Sequence, residues 1–223
     1  MEDARAYQEL RVGFTAAVSH ELRTPLARLL VILETAALPG TDRDELLSQA
    51  REEVEQMAEL VNDVLFLSEL ESGREVVALG TTEVRPVLEE VSARLADSAE
   101  RAEISIRVEA APEIELPLRR RMLQTIAENL AQNAIRYAGP GATVTLGAEA
   151  GVLRVSDDGR GVEEEELPRL FERFYRSDRA RASRGTGLGL AIVKHVVVSA
   201  GGQVEASGGP GRGLHIECRF PAP

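Results

Sequence analysis

A histidine followed directly by a glutamate lies in VSHELRTP, residues 18–25, a segment with the apolar spacing of an amphipathic helix. At about 100° per residue, the apolar side chains fall on one stripe, and His20 falls on the opposite side with Thr24 one turn later. A neutral imidazole is a nucleophile near pH 7, and a neighbouring carboxylate such as Glu21 can hold the proton of its other nitrogen. The pattern leaves two possibilities open, a solvated surface histidine and a catalytic nucleophile.

Two asparagines four residues apart, Asn129 and Asn133, lie in ENLAQNAIRY, for which the pattern predicts a helix. Residues at this spacing project from one face, and amide oxygens are neutral ligands suited to Mg²⁺ beside nucleotide phosphates. Arg136 adds a cation another turn along the same side. The asparagines could equally cap or bridge within the helix, so this segment alone does not decide between a metal site and a structural role.

An acidic glycine turn, VSDDGRGV at residues 155–162, follows a predicted strand and contains Asp157, Gly159 and Gly161. Glycines at alternate positions let a ligand approach the backbone closely. A fixed carboxylate there can accept a hydrogen bond from an adenine amino group. Taken alone, the segment is also compatible with an ordinary acidic turn.

A glycine-rich segment, RGTGLGL, places Gly185, Gly187 and Gly189 in front of an apolar helix. Free backbone N–H groups at a helix start favour an anion such as a phosphate. The GxGxG spacing, without a preceding strand, disfavours a Rossmann unit, and the lack of a following Gly-Lys-Ser/Thr disfavours a Walker A loop. The segment therefore predicts a phosphate-binding loop of another kind.

Between these two glycine segments lies LFERFYRSD, residues 170–178, which is rich in aromatic residues and arginines. Phe171, Phe174 and Tyr175 could simply anchor a short helix. Arg173 and Arg176 supply cations that can meet phosphates. We expect residues 162–185 to form a mobile lid over a nucleotide.

The elements that must position these residues begin with two long helices in residues 1–71, joined by LPGTD at residues 38–42. Thr41 or Asp42 is expected to cap the second helix. Apolar residues recur in steps of three and four in both helices, which is the pattern of a helical bundle. A lone hairpin has too little surface to bury both stripes, so we predict a homodimeric four-helix bundle. Packing of the hairpin on the rest of its own chain is the alternative.

Residues 81–223 mix predicted helices with short alternating strands, and residues 72–80 form the predicted linker. This mixture predicts an α/β sandwich in which helices cover one face of a mixed sheet. The helices are predicted at residues 84–99, 119–137 and 188–200, and the strands at residues 103–108, 142–148, 151–156, 202–207 and 214–220.

Composition excludes several classes of protein. The net charge of −11 argues against a nucleic-acid binder that neutralises phosphates. The sequence has no apolar run of about 18 residues, so no membrane-spanning segment is expected, and the polar N-terminus is not a signal peptide. The single cysteine, Cys218, cannot form an internal disulfide and is expected to pack as a small strand residue in a reducing compartment.

Taken together and in this order, the segments resemble the sensor histidine kinases of two-component signalling. FTAAVSHELRTPL is similar to the H box of that family, ENLAQNAIRY to the N box, DDGRG to the G1 box, FERFYR to the F box and GTGLGL to the G2 box. The resemblance covers nearly the whole chain. It implies a dimerisation and histidine-phosphotransfer bundle, followed by a catalytic ATP-binding domain of the type shared with gyrase, Hsp90 and MutL.

The resemblance also implies roles for individual residues. His20 would accept a phosphoryl group, Glu21 would be the acid/base that orients it, and Thr24 would help to position water for dephosphorylating a partner. Asn133 would hold Mg²⁺ with help from Asn129. The remaining nucleotide contacts that the resemblance implies are Arg136, Tyr137, Asp157, Gly159, Gly161, Arg176, Gly185, Thr186, Gly187, Leu188 and Gly189.

The function that the resemblance implies is ATP-dependent autophosphorylation of His20, with transfer to an aspartate of a separate response regulator and a phosphatase activity on that regulator. We expect a cytoplasmic chain that forms the core of a longer sensor. Two other classes are an ATP-binding scaffold without kinase output and a clamp ATPase of the gyrase type. The latter needs a glutamate where Asn129 stands.

Overall fold

The computed structural model describes residues 2–71, 80–177 and 185–221. Most of the predicted linker, residues 72–79, and part of the predicted lid, residues 178–184, lie outside the described residues. The chain divides into two compact units. The first comprises Met1–Phe66 with Arg184–Thr186, and the second comprises Leu67–Ser183 with Gly187–Pro223.

The first unit is a helical hairpin, which confirms the two predicted helices. Helix α1 spans Glu2–Ala36 and helix α2 spans Arg43–Glu71, so the last turn of α2 belongs to the second unit. Asp42 caps α2, because its Oδ1 accepts hydrogen bonds from the backbone amides of Asp44 and Glu45, each at 3.1 Å. These bonds satisfy two of the amides that a helix start leaves open.

The hairpin buries only part of its apolar surface. Ala50 and Leu60 are buried in the structure. Other apolar side chains of α1 and α2 are 43% to 62% exposed, and these are Leu26, Leu30, Val31, Leu33, Leu47, Val54, Val61 and Leu65. Within α2, Leu47, Val54 and Val61 follow one another at intervals of seven, the repeat of a helical-bundle seam. A single chain therefore leaves one seam of the predicted bundle in water.

The second unit combines strands and helices as predicted. Its elements in chain order are β1 (Thr82–Glu83), α3 (Val84–Arg101), β2 (Ser105–Ala110), β3 (Glu115–Leu116), α4 (Arg120–Tyr137), β4 (Thr143–Glu149), β5 (Val152–Asp157), a 3-10 helix (Glu164–Arg169), α5 (Gly189–Ser199), β6 (Gln203–Gly208) and β7 (Leu214–Arg219). Each predicted helix and strand is present, with ends shifted by at most two residues. The pair β1 and β3 and the 3-10 helix are too short for periodicity to reveal them.

A five-stranded sheet in the order β2-β4-β5-β7-β6 is the centre of this unit. Strand β2 pairs in parallel with β4, and the other neighbours are antiparallel, so the sheet is mixed as predicted. The register pairs Ser156 of β5 with His215 of β7. This pairing places the end of β5 beside the start of β7.

Helices α3, α4 and α5 cover one face of the sheet. Helix α3 packs on β2 and α4, α4 lies over β4 and β5, and α5 packs on α4 and β6. Burying a large aliphatic side chain contributes about 1.5–3 kcal/mol, so this layer supplies most of the stabilisation. The buried residues of α4 recur in steps of one, three and four, and they are Met122, Leu123, Ile126, Ala127, Leu130, Ala131, Ala134 and Ile135.

The opposite face of the sheet is polar. Arg154 of β5 donates hydrogen bonds to Glu149 at 3.0 Å and to Glu217 at 2.8 Å. Exposed ion pairs of this kind add little stability, but they keep this face hydrophilic, so the helices gain more by covering the other face. In the described residues, no helix is both long enough and apolar enough to cross a bilayer.

The single thiol provides a test of this core. Cys218 lies on β7 with none of its surface exposed, and burial raises the pKa of its thiol to about 12. Because the thiolate is the reactive form, we expect no labelling by a thiol reagent at pH 8 in the native state and one label per chain in denaturant. Rapid labelling of the native protein, followed by absorbance, would contradict the packing of β7 described above.

Candidate functional site

His20 is exposed on α1, as the helical periodicity predicts. Thr24, one turn later, is also exposed, and Glu21 is partly exposed. Helix α1 runs through Pro25, which is buried. Proline has no N–H, so the carbonyl of Glu21 loses its usual helical donor. The imidazole of His20 is therefore open to a second molecule or domain.

The acidic turn after β5 separates its two carboxylates. Asp158 is exposed, and its Oδ1 accepts a hydrogen bond from the backbone amide of Thr143 at 2.6 Å. Asp157 is only 5% exposed, and its Oδ1 accepts a hydrogen bond from the backbone amide of Gly159 at 3.0 Å. Alternation along β5 turns Asp157 to the helix-covered side with Leu153 and Val155. Asp157 is thus the carboxylate that faces the interior.

Burial decides the electrostatics of Asp157. Loss of solvation raises the pKa of this carboxyl above its ordinary value, and hydrogen bonds from the backbone amides of Gly159 and Leu214 oppose the rise. A carboxylate has about four acceptor positions, so two amide donors leave it able to accept another hydrogen bond. A ligand with an N–H donor fits this group better than a ligand with an acceptor.

The asparagine pair on α4 has two different environments. Asn129 donates from Nδ2 to the carbonyl of Thr125 at 2.8 Å, which is the bridging role that the sequence left open. Because this bond uses the amide nitrogen, the amide oxygen, Oδ1, is the atom of Asn129 that can bind a ligand. A Cβ on Gly189 would lie 2.6 Å from that Oδ1, so the start of α5 abuts this face of α4. Asn133, one turn later, is half-buried.

The neighbour of this pair, Glu128, belongs to a separate network. It forms an ion pair with Arg94 of α3. Burial raises the pKa of Glu128, and the nearby Arg94 charge opposes that rise. Its carboxylate is therefore directed to α3 and is not part of the asparagine face.

The acidic turn rests directly on the end of α4. The backbone amide of Arg160 donates to the carbonyl of Ala138 at 2.9 Å. A Cβ at Gly159 would lie 2.5 Å from the Ala138 Cα, so glycine is required for this approach. The contact brings Asp157 to the same end of α4 as Tyr137, which is half-buried, and Arg136, which is exposed.

The segment after the 3-10 helix forms turns, in place of the short helix that its aromatic residues could anchor. Phe174 has a φ of +62°, which is uncommon for a residue with a side chain and stores backbone strain. Its backbone amide donates to the carbonyl of Gly187 at 2.9 Å. The Tyr175 hydroxyl contacts Glu166 at 3.3 Å, and Arg176 is half-buried. The aromatic segment is therefore joined to the glycine-rich segment at Gly187.

The glycine-rich segment is divided between the two units, with Gly185 and Thr186 in the first and Gly187 onward in the second. Gly185, Thr186 and Leu188 are buried, and Gly187 is half-buried. Thr186 belongs to the first unit, where its hydroxyl donates to Asp63 at 2.9 Å. The structure thus gives the Thr186 hydroxyl a protein partner within the first unit.

Sequence reasoning missed the backbone of the turn between β6 and β7. The Leu214 amide bonds to Asp157, and the Gly213 amide donates to the carbonyl of Gly159 at 3.1 Å. Backbone donors carry no residue type, so no side-chain pattern identifies them. The only signal is the density of glycines in GGPGRG, residues 208–213.

Two family models match the chain. Residues 10–73 match the His Kinase A (phospho-acceptor) domain. Residues 118–223 match the histidine kinase-, DNA gyrase B- and HSP90-like ATPase family. The first match contains His20, and the second contains the asparagine pair and Asp157.

Curated relatives match over nearly all of the chain. The chain is 32% identical over 231 residues to the sensor-like histidine kinase SenX3 of Mycobacterium tuberculosis (strain ATCC 25618 / H37Rv), which covers 99% of this chain and 56% of the relative. It is 36% identical over 228 residues to the phosphate regulon sensor protein PhoR of Pseudomonas aeruginosa. That match covers 96% of this chain and 50% of the relative. The chain thus spans about half the length of the curated relatives it matches.

Solved structures share the fold. The histidine kinase AdeS of Acinetobacter baumannii has a TM-score of 0.72 at 25% identity, covering 90% of this chain and 97% of that one. The histidine kinase ThkA, solved with a response regulator protein, TrrA, has a TM-score of 0.74 at 20% identity. The match covers 98% of this chain and 64% of that one. The predicted fold class, a helical region followed by an α/β unit, is confirmed.

Gly187 provides a test of the link between the glycine-rich and aromatic segments. Its φ is +69°, and a Cβ would lie 2.8 Å from the Phe174 Cα. We expect Gly187→Ala to break the packing at Phe174 at a cost of about 1–3 kcal/mol, so that exchange of the Phe174 amide hydrogen accelerates about tenfold or more. The control is Gly141→Ala, where φ is +83° but nothing lies within 4 Å. Equal acceleration in both variants would show that the close approach is unimportant.

Proposed function

Because this chain belongs to the sensor histidine kinases of two-component signalling, we propose that it binds ATP, transfers the γ-phosphoryl group to His20 and passes it to a response regulator. The observation that carries the proposal is an exposed His-Glu pair on a helix in the same chain as a nucleotide-binding fold. His20 lies in the first unit and Asp157 in the second. Transfer therefore requires the nucleotide site to reach the helix.

The proposed ATP site in the second unit consists of the end of α4, the acidic turn and the start of α5 with Gly187 before it. Asp157 accepts a hydrogen bond from the adenine amino group, which suits a buried carboxylate with open acceptor positions. The phosphates face the start of α5, where free backbone amides and the helix dipole favour negative charge. Arg136 and Arg176 supply cations, and Tyr137 lines the pocket.

We propose that Mg²⁺ binds with the nucleotide at the asparagine face of α4. The bond from Asn129 to Thr125 leaves its amide oxygen as the free end, and the half-buried Asn133 lies one turn away. Neutral oxygen donors suit Mg²⁺, which keeps several waters and takes its other ligands from phosphates. When bound, the ion neutralises charge that develops on the transferring phosphoryl group.

The proposed chemistry at α1 is an in-line displacement. The unprotonated ring nitrogen of His20 forms a bond to the γ-phosphorus, and the bond from that phosphorus to the β–γ bridging oxygen breaks, which releases ADP. Glu21 accepts the proton from the other ring nitrogen, so that the phosphorylated imidazole becomes neutral. Phosphoryl transfer depends mostly on positioning and charge neutralisation.

We propose that the hairpin, predicted at residues 1–71, forms a homodimer. Its support is the uncovered seam of α2, in which Leu47, Val54 and Val61 are 62%, 49% and 43% exposed. A second copy would cover this seam and the exposed leucines of α1, which gives a four-helix bundle. The exposed side of α1 that carries His20 and Thr24 stays open to a partner.

We propose an aspartate of a separate response regulator as the acceptor of the phosphoryl group. ThkA, whose fold this chain shares, was solved with such a protein. After transfer, Thr24 would hold the water that dephosphorylates the regulator, because its hydroxyl lies one exposed turn from His20. A cytoplasmic location follows from this partner, and the relatives' greater length leaves room for a sensor elsewhere in the full protein.

Replacement of the acceptor tests the reaction. We expect His20→Ala to incorporate at least a hundredfold less label from γ-labelled ATP, because the nucleophile is absent. In the unaltered protein the label should be lost in acid and retained in alkali, as expected of a phosphorylated imidazole. His195→Ala is the matched control, since His195 is a half-buried histidine on α5 of the second unit and has no part in the proposed reaction, and this variant should retain the label. Persistence of acid-labile label in His20→Ala would overturn the assignment.

Replacement of the adenine acceptor separates binding from folding. We expect Asp157→Asn to weaken ATP binding about 10- to 150-fold, since a hydrogen bond to a charged group contributes about 1.5–3 kcal/mol. Burial raises the pKa of Asp157 in the folded chain, so its charge opposes folding at pH 7, and this cost disappears as the pH falls through that raised pKa. Asp157→Asn should therefore unfold in urea no more easily than the unaltered protein at pH 7.

Any gain in stability of Asp157→Asn over the unaltered protein should shrink as the pH falls toward 3.8, the ordinary pKa of aspartate. Asp158→Asn is the control, because the Asp158 carboxylate binds the Thr143 amide and is exposed. It should bind ATP within about twofold of the unaltered protein. Equal losses of ATP affinity in the two variants would contradict the role given to Asp157.

A further inference from the structure

The turn between β6 and β7, residues 209–213, lies against the turn that follows Asp157. Two backbone hydrogen bonds join them: the Gly213 amide donates to the carbonyl of Gly159 at 3.1 Å, and the Gly211 amide donates to the carbonyl of Arg160 at 2.8 Å. The two turns are therefore held to each other through main-chain groups. We call residues 209–213 the glycine turn.

The two backbones pack together without side chains between them. A Cβ on Gly213 would overlap the Asp157 carbonyl oxygen and lie 2.7 Å from its carbon. From the other side, a Cβ on Gly161 would lie 2.8 Å from the carbonyl carbon of Gly209. The φ of Gly213 is +69°, which also favours glycine. Any larger residue at Gly213 must push the glycine turn away from Asp157.

This packing matters for the Asp157 carboxylate because its two amide donors come from different segments. Gly159 belongs to the acidic turn, and Leu214 directly follows the glycine turn at the start of β7. If the glycine turn moves, the Leu214 donor moves with it. The position of the carboxylate thus depends on a segment that contributes no side chain to the nucleotide.

We propose that the glycine turn is a positioning element that sets base selectivity, with Gly213 as its positioning residue; this rests on the proposed binding of ATP. The Asp157 carboxylate, held by amides on two sides, accepts a hydrogen bond from the 6-amino group of adenine. Guanine carries an oxygen at that ring position, and this acceptor would face the buried carboxylate with no hydrogen between them, which is costly. A displaced turn lets Asp157 move, and the preference for adenine falls.

The side chains of the glycine turn contribute little to this function. Arg212 contacts Glu164 at 2.8 Å, but the two side chains are 66% and 70% exposed. Such a pair adds at most about 1 kcal/mol. Gly211 has a φ of +71°, yet nothing lies within 4 Å of a Cβ built there. These two positions give matched controls, one for the charge of the turn and one for backbone strain alone.

The experiment compares Gly213→Ala with Gly211→Ala and Arg212→Ala in the full chain. Dissociation constants for ATP and for GTP are measured by competition against a fluorescent ATP analogue. We expect Gly213→Ala to weaken ATP binding tenfold or more and to lower the GTP-to-ATP ratio of dissociation constants at least threefold. Both controls should keep that ratio within about 1.5-fold. If Gly213→Ala keeps the urea unfolding transition of a folded protein, an unchanged ratio would overturn the proposal.

A measurement on the unaltered protein keeps the proposal testable if Gly213→Ala does not fold. We expect ATP to slow hydrogen exchange of the Gly211, Gly213 and Leu214 amides at least fivefold, and equal occupancy by GTP to slow it less. The same exchange rates with and without ATP would overturn the proposal. Failure of the unaltered protein to bind ATP at all would instead overturn the proposed function.

Discussion

Burial of the Asp157 carboxylate is the constraint on which the second unit depends. A carboxylate that leaves water costs several kcal/mol unless hydrogen bonds replace its hydration. The replacement comes from the amides of Gly159 and Leu214, which lie at the ends of neighbouring strands. The two amide donors reach this carboxylate because β5 pairs with β7 and because the glycine turn contacts the acidic turn.

The buried carboxylate lowers the stability of the fold and supplies the acceptor for the proposed recognition of adenine. The turn that carries Asp157 is fixed from two directions, by the end of α4 at Ala138 and by the glycine turn at Gly213. Both contacts use main-chain atoms, whose geometry varies less than that of long side chains. Strain at Phe174, with a φ of +62°, adds a second place where local energy is stored near the predicted site. Rigid surroundings for one polar group distinguish a binding site from ordinary core.

The hairpin meets a different requirement, which is to present the proposed nucleophile, His20, on a surface that partners can reach. A helix in a two-helix hairpin buries one narrow stripe, so the side with His20 stays in water. The same geometry leaves Leu47, Val54 and Val61 exposed on α2. Exposed leucines and valines at heptad spacing are costly in a lone chain and favourable in a bundle. The proposed dimerisation and the accessible His20 thus both follow from one helical pattern.

The sequence by itself determined the α-helices, the five strands of the central sheet, a cap at Thr41 or Asp42 and the order of the motifs, because hydrophobic periodicity and capping act over three or four residues. The resemblance to the family motif also favoured Asp157 over Asp158, and the structure shows that Asp157 is the buried carboxylate. Only the tertiary structure decided that Asn129 bonds to Thr125, that Thr186 bonds to Asp63, and that the glycine turn contacts the turn after Asp157. The first of these is a choice between local alternatives. The other two contacts join distant segments, and the contact of the glycine turn uses backbone groups that all residues share. The packing of whole elements therefore determines them, and no local sequence pattern predicts them.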